Sequence, residues 1–361
     1  MTSCVKFHKI LIKLIIILTL VLSTSLATAQ DKLPTTAYGA PSQAQLDAFF
    51  GAKEDPPAKE LLGVNDDYAG RSYLAGDEWN LHLYYPHIKN IKGGYIGVGS
   101  DQGYLLMSWA RPEFAWLTDY DPLVVVTHKV YRAFFLEAKT PQEFYDLWKK
   151  KNQAKGLEIL EKHWKDDEHY GQIKRIYKDV GPKIYRRHRR IKKILKQEKV
   201  PSYLNDQEHY DYIRGMVATK RVRPMLGNLL DDEALVSIGQ AATTMNIPIR
   251  IFYLSNAQEY WKYPQQFRDN VAALPFDDQS FVLHTLSTWS TNKDYRYVLQ
   301  PALNFAEWMK ESWLLKVYHM IPRRKLEGAE DIDFIKFNGD VAKARARHEK
   351  RKKRKKSKSK Q

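Results

Sequence analysis

Short apolar runs and helical stripes take turns along most of this chain. Tyr95–Val98 and Phe114–Thr118 are apolar at nearly every position, the pattern of strands buried on both faces. Between them lies a helical run, and after them Leu123 to Phe135 is apolar nearly all round, as in a helix buried on several sides. Thr140-Pro141-Gln142-Glu143 opens a further helix with a capping residue and a proline in the first turn. The pattern resumes with strands at Val222–Leu226, Ile249–Leu254 and Phe281–His284. Leu235, Ile238, Ala241, Ala242 and Met245 mark one intervening helix, and Pro264 to Leu274 forms another. Phe305, Trp308, Met309, Trp313 and Val317 predict a last helix, Ala302 to Met320, covering the sheet. Strands alternating with helices predict an α/β, Rossmann-like fold: a mostly parallel sheet with helices on both faces.

One stretch does not fit the alternation. Residues 152 to about 219 read as a helical insertion, with Leu157, Leu160 and Trp164, then Ile173, Ile176, Tyr177 and Val180, at helical spacing. Ile184, Ile191, Ile194 and Leu195 form a thin stripe on an otherwise basic helix, so Lys183 to Lys199 is expected to be exposed. The domain then spans 43–325 with this insertion inside it. Ser42 to Gly51 and Pro56 to Gly63 read as short helices, and residues 30–42 as a flexible lead-in.

The ends of the chain have a different character. Lys6, His8, Lys9 and Lys13 precede the apolar run Leu14–Leu22, and Ala27-Thr28-Ala29 follows. A basic start, a short apolar core and small residues at −3 and −1 describe a signal peptide, residues 1–29. Export to the periplasm or the extracellular space is therefore expected. The single cysteine, Cys4, lies in that segment, so the mature chain has no disulfide or thiolate chemistry.

Charge is concentrated in two places. The net charge is +16, yet Lys174–Lys199 holds twelve basic residues against two acids, and Lys343–Lys360 twelve against one. Residues 326–361 are too polar to form a core and are expected to be a basic disordered tail. Both segments suit a polyanion: nucleic acid, anionic lipid or acidic polysaccharide.

Candidate chemistry sits where the strands end, because ligands of open α/β sheets bind past the carboxyl ends of the strands. Gly97-Val98-Gly99-Ser100-Asp101-Gln102 joins the first strand to its helix, and Asp119 closes the second, about twenty residues on. Glycines let a backbone turn close to a ligand, and an acid at that distance accepts ribose hydroxyls. Asn228, Ser255, Asn256 and Tyr260 follow later strands. His128 is a candidate base on the helix after Asp119, against the plainer reading of a buried, hydrogen-bonded histidine. Asp119 and Asp121 together invite a cation, against the plainer reading of a turn and helix cap, and no metal ligand set is assigned. There is no Gly-x-Ser-x-Gly turn, Walker loop or His-Glu-x-x-His.

Gly97 to Gln102, Arg111-Pro112, Asp119, Gly227-Asn228-Leu229-Leu230-Asp231 and Tyr253 to Tyr260 resemble class I S-adenosylmethionine-dependent methyltransferases over about residues 90 to 290. The resemblance implies a seven-stranded Rossmann-like sheet and S-adenosylmethionine as cofactor. It implies that Gly97 and Gly99, with Asp101 and Gln102 in the same turn, face the cofactor's amino-acid end, Asp119 its ribose and Asn228 its adenine. Ser255 and Asn256, with Tyr260 and His128 nearby, fall on the substrate side. The chain departs from the family pattern at Tyr95, Asp101 and Asn228, where the family has an acid, a glycine and an acid. Such departures suit a fold retained while the chemistry changed. Two classes of function follow: an enzyme or degenerate enzyme of methyltransferase-like fold acting on an unknown substrate, or a non-catalytic exported protein that attaches to polyanionic surfaces.

Overall fold

In the computed structural model, residues 38–58, 74–287, 294–321 and 334–358 are described. The first helix, α1 (Gln43–Gly51), starts from a capping box between Ser42 and Gln45. The predicted helix from Pro56 to Gly63 begins in extended chain, and from residue 59 it lies outside the described residues.

After the short helix α2 (Tyr85–Ile88), the alternation appears as expected: β1 (Gly94–Val98), α3 (Asp101–Ala110), β2 (Phe114–Asp119) and α4 (Pro122–Glu137). Helices α5 (Pro141–Leu147), α6 (Gln153–Trp164), α7 (Tyr170–Gln197) and α8 (Gln207–Ala218) follow. The alternation resumes in β3 (Val222–Leu226), α9 (Ala234–Thr244), β4 (Ile249–Ser255), α10 (Gln265–Ala273) and β5 (Phe281–Ser287). The strands form one seven-stranded sheet in the order β3-β2-β1-β4-β5-β6-β7. The first five are parallel, as the pattern required. β6 (Tyr295–Pro301) runs antiparallel to β5, and β7 (Phe334–Lys336) pairs parallel with β6 at the edge.

The period of two along each strand sorts side chains into two cores. Tyr95, Ala115, Leu117, Tyr253 and Leu283 join the face covered by α3, α4 and the helical insertion. Ile96, Phe114, Trp116, Phe252 and Val282 join the face covered by α1, α9 and α10. Every residue of β2 is buried, which explains its unbroken apolar character.

Three expectations need correction. The helix foreseen from Ala302 to Met320 is two: α11 (Ala302–Met309) and α12 (Val317–Met320). The carbonyls freed at the break are taken up by buried Arg268, which donates to Met309, Glu311 and Leu314. Next, α7 is not a uniformly exposed basic helix. It buries Ile173, Ile176, Tyr177, Val180, Ile184, Arg187, His188, Ile191 and Leu195 and packs on α4. Finally, the tail expected to be disordered from residue 326 contains β7 and α13 (Val341–Lys358). Lys and Arg are good helix formers, and the first turns of α13 are docked. Arg345 donates to Glu311 at 2.7 Å, and the His348 ring stacks on Trp313 at 4.8 Å.

Candidate functional site

The strand order reverses between β1 and β4, and there the connecting chains leave in opposite directions and open a crevice. Val98, Gly99, Asp119, Gly227, Asn228, Ser255 and Asn256, from the ends of four strands, line it. Leu229, Leu230 and Trp261 add apolar walls, and half-exposed Tyr260 stands at the rim.

Its floor is tightly specified. Gly99 has φ +86°, a left-handed conformation that suits glycine. Its N–H donates to Asp119 Oδ2 at 3.0 Å, and the N–H of Asp121 donates to Oδ1, also at 3.0 Å. Burial pushes the Asp119 carboxyl up to about 7, against the opposing pull of these backbone N–H groups. Asp121 itself caps α4 by accepting from Leu123 N. The Ser100 N–H donates to Gln102 Oε1 at 3.2 Å. Two N–H groups of the glycine turn are thus satisfied by the protein.

Ser255 ends β4 with φ +49°, unusual for a residue with a Cβ. Its hydroxyl donates to Glu78 Oε1 at 2.6 Å. Glu78 is fully buried and also accepts from the hydroxyls of Tyr253 and Thr285 and from Gln102 Nε2. Desolvation, then Asp77, raises its pKa, and the Ser255, Tyr253 and Thr285 hydroxyls oppose that rise. Glu78 therefore holds Ser255 and Gln102, two crevice residues, from behind. Its place in Gly76-Asp77-Glu78-Trp79 gave no periodic or motif signal, and its partners lie 24 to 207 residues away.

The turn entering α9 is also held from a distance. Asp55 accepts from the N–H groups of Asn228, Glu233 and Ala234. The start of α9 is thus capped by a residue of the N-terminal segment. The Asn228 Oδ1 accepts from Leu230 N at 3.1 Å, which fixes the turn rather than freeing the side chain for a base.

Of the residues singled out in the sequence, Gly99, Gln102, Asp119, Asn228, Ser255, Asn256 and Tyr260 converge on the crevice. Three do not line it. A Cβ on Gly97 would lie 2.3 Å from the Tyr95 hydroxyl, so that glycine makes room for an aromatic ring beneath the strand. Asp101 points into the protein, where it takes Arg187 Nε at 2.9 Å and the N–H of Gly76 at 2.7 Å. Burial opposes its ionised form, but Arg187, His188 and the Gly76 N–H outweigh that and hold the carboxyl below its usual range. His128 is buried behind the turn, between the Tyr104 hydroxyl at 3.0 Å and the Gly99 carbonyl at 3.2 Å. Burial lowers its pKa to about 4, so it is a neutral structural histidine at physiological pH.

Among the described residues, no cluster of His, Cys, Asp or Glu has the makings of a metal site, and no helix is long and apolar enough to cross a membrane. No curated protein matches the chain. Residues 73–336, which contain the whole sheet and every crevice strand, match a domain of unknown function, DUF7790, and the chain belongs to that family.

Proposed function

We propose that the crevice binds a nucleoside-bearing small molecule without phosphates, of the S-adenosylmethionine type, in an exported protein of methyltransferase-like fold. The observation that carries this reading is the buried Asp119 carboxylate at the switch point. Backbone N–H groups hold it in place, and it lies within reach of a ribose diol.

The donor set separates this ligand from a dinucleotide. Among the described residues, the crevice lining includes Asp119 but neither Lys nor Arg. A pyrophosphate there would find no cation among the described residues and no free N–H at Gly99 or Ser100. An uncharged nucleoside with a cationic sulfonium suits a cleft that sets Asp119 among amides, hydroxyls and apolar walls. Leu229, Leu230 and Trp261 would cover the base. Gln102 and Ser255, both steadied by Glu78, would meet the ligand's polar end. When bound, S-adenosylmethionine supplies an electrophilic methyl group. No group of this chain is assigned a catalytic step.

Export rests on the first 29 residues, which lie outside the described ones. Intact mass of the secreted chain should place its first residue at Gln30. A species keeping residues 1–29 in a membrane fraction would make it an anchored protein.

A thermal-shift series with S-adenosylhomocysteine, adenosine and NAD tests the ligand class, since a ligand that binds only the folded state raises its melting temperature. The first two should raise it and NAD should not. A shift with NAD alone would overturn the reading.

A further inference from the structure

Much of the positive charge of α7 is gathered into a hollow. Lys183, Arg186, Arg187 and Arg190 recur at helical spacing on one side of the helix. Together with two further cations they face the chain from Ala75 to Trp79, where Asp77 is the one carboxylate of the lining among the described residues. The Trp79 ring is covered by guanidinium groups. Arg190 lies 3.7 Å and Arg187 4.8 Å from its centroid. The Trp79 backbone N–H is fixed by Asp294 at 3.0 Å.

Arg187 marks the deepest point. It is 2% exposed, donates from Nε to Asp101 and from Nη1 to the Glu78 carbonyl, and its Nη2 has no partner. A buried guanidinium nitrogen with nothing to donate to is costly. Like charges set side by side on one helix face also repel. Burial lowers the pKa of Lys183, and Arg186 adds to this against the pull of Asp77. An anion in the hollow relieves both costs. Arginine presents a planar fork matched to tetrahedral oxyanions.

We propose that this hollow is a binding site for a phosphate-type oxyanion, free or as the ester of a small molecule, held by Arg186, Arg187, Arg190 and Lys183. The site shares no lining residue with the strand-end crevice and does not depend on the nucleoside reading. The segment Gly76–Trp79 joins the two. The Glu78 carbonyl accepts from Arg187, and its carboxylate accepts from Ser255 and Gln102.

Calorimetric titration of the full chain with inorganic phosphate and with glycerol 3-phosphate, at ionic strength held constant with sodium chloride, tests this. The R186Q/R190Q double variant should keep the parent's unfolding midpoint, because both side chains are exposed. Saturable one-site binding of either ligand is expected, weakened about tenfold or more in the double variant and unchanged by removal of residues 349–361. Tighter binding of glycerol 3-phosphate assigns an ester, and the reverse assigns free phosphate. No saturable binding of either at millimolar concentration, or equal binding by the double variant, would overturn the proposal. So would binding of heparin or nucleic acid alone that is lost with the tail, which would be diffuse counterion attraction.

Discussion

The Asp119 carboxylate, at the end of β2, accepts the N–H of Gly99 beyond the end of β1, locking the glycine turn to the acid twenty residues away. This bond fixes a titratable group at the switch point, and its burial makes pH a probe of it. The carboxyl is raised from 3.8 to about 7. Between those values the folded protein holds a proton that the unfolded chain has released. Its contribution to stability therefore falls as pH rises across that window and is flat above it. The D119N variant should show a smaller fall in unfolding free energy between pH 4 and about 7 than the parent, measured by urea denaturation.

Arg187 and Asp101 form a buried pair on which α7 and the glycine turn both depend. R187M leaves Asp101 buried without its partner and should cost about 3–5 kcal/mol. D101N/R187M removes both charges and should recover part of that loss. Denaturant titration of the two variants decides this; equal losses would mean that packing, not charge, joins the elements.

Ser255 sets a left-handed backbone against its hydrogen bond to Glu78. S255A keeps the backbone strain and loses the bond, whereas S255G loses the bond and relieves the strain. The glycine variant should be more stable than the alanine variant by about 1 kcal/mol. The opposite order would show that the left-handed backbone at position 255 carries no strain that glycine relieves.

The C-terminal helix divides into a docked and a free part. Truncation before Val341 removes the Arg345–Glu311 pair and the stack of His348 on Trp313 and should lower the melting temperature. Truncation after Glu349 should leave the melting temperature unchanged. If the tail engages a polyanion, the shorter truncation should also flatten the salt dependence of heparin binding, since each lost contact releases fewer counterions. Binding indifferent to salt would leave the basic residues without that partner.

The parallel half of the sheet was legible because its strands, β3 with Arg223 and Pro224 excepted, are short and mostly apolar runs bounded by turn residues. β6 was missed. Its apolar run, Tyr297-Val298-Leu299, is only three residues long between Arg296 and Gln300, and the strand turns back along β5. The place of Asp119 in the crevice was legible because it follows from the spacing to the glycine turn. Asp101 was misread for the same reason: its place in the turn suggests a ligand, but Arg187, 86 residues later, claims it. Glu78 and Asp55 act only through distant partners that no local pattern reveals. The tail's composition reads as disorder until Glu311 and Trp313 give its first turns something to pack on.

The most direct test of the account is a calorimetric titration of the mature chain with S-adenosylhomocysteine at pH 6 and pH 8, beside D119N. Ribose hydroxyls donate to the ionised carboxylate, so binding should tighten as pH rises through about 7, the value to which Asp119 is pushed. D119N should bind about tenfold or more weakly and lose the pH dependence. Absence of binding at millimolar ligand, or binding indifferent to both pH and D119N, would contradict a nucleoside site at the end of β2.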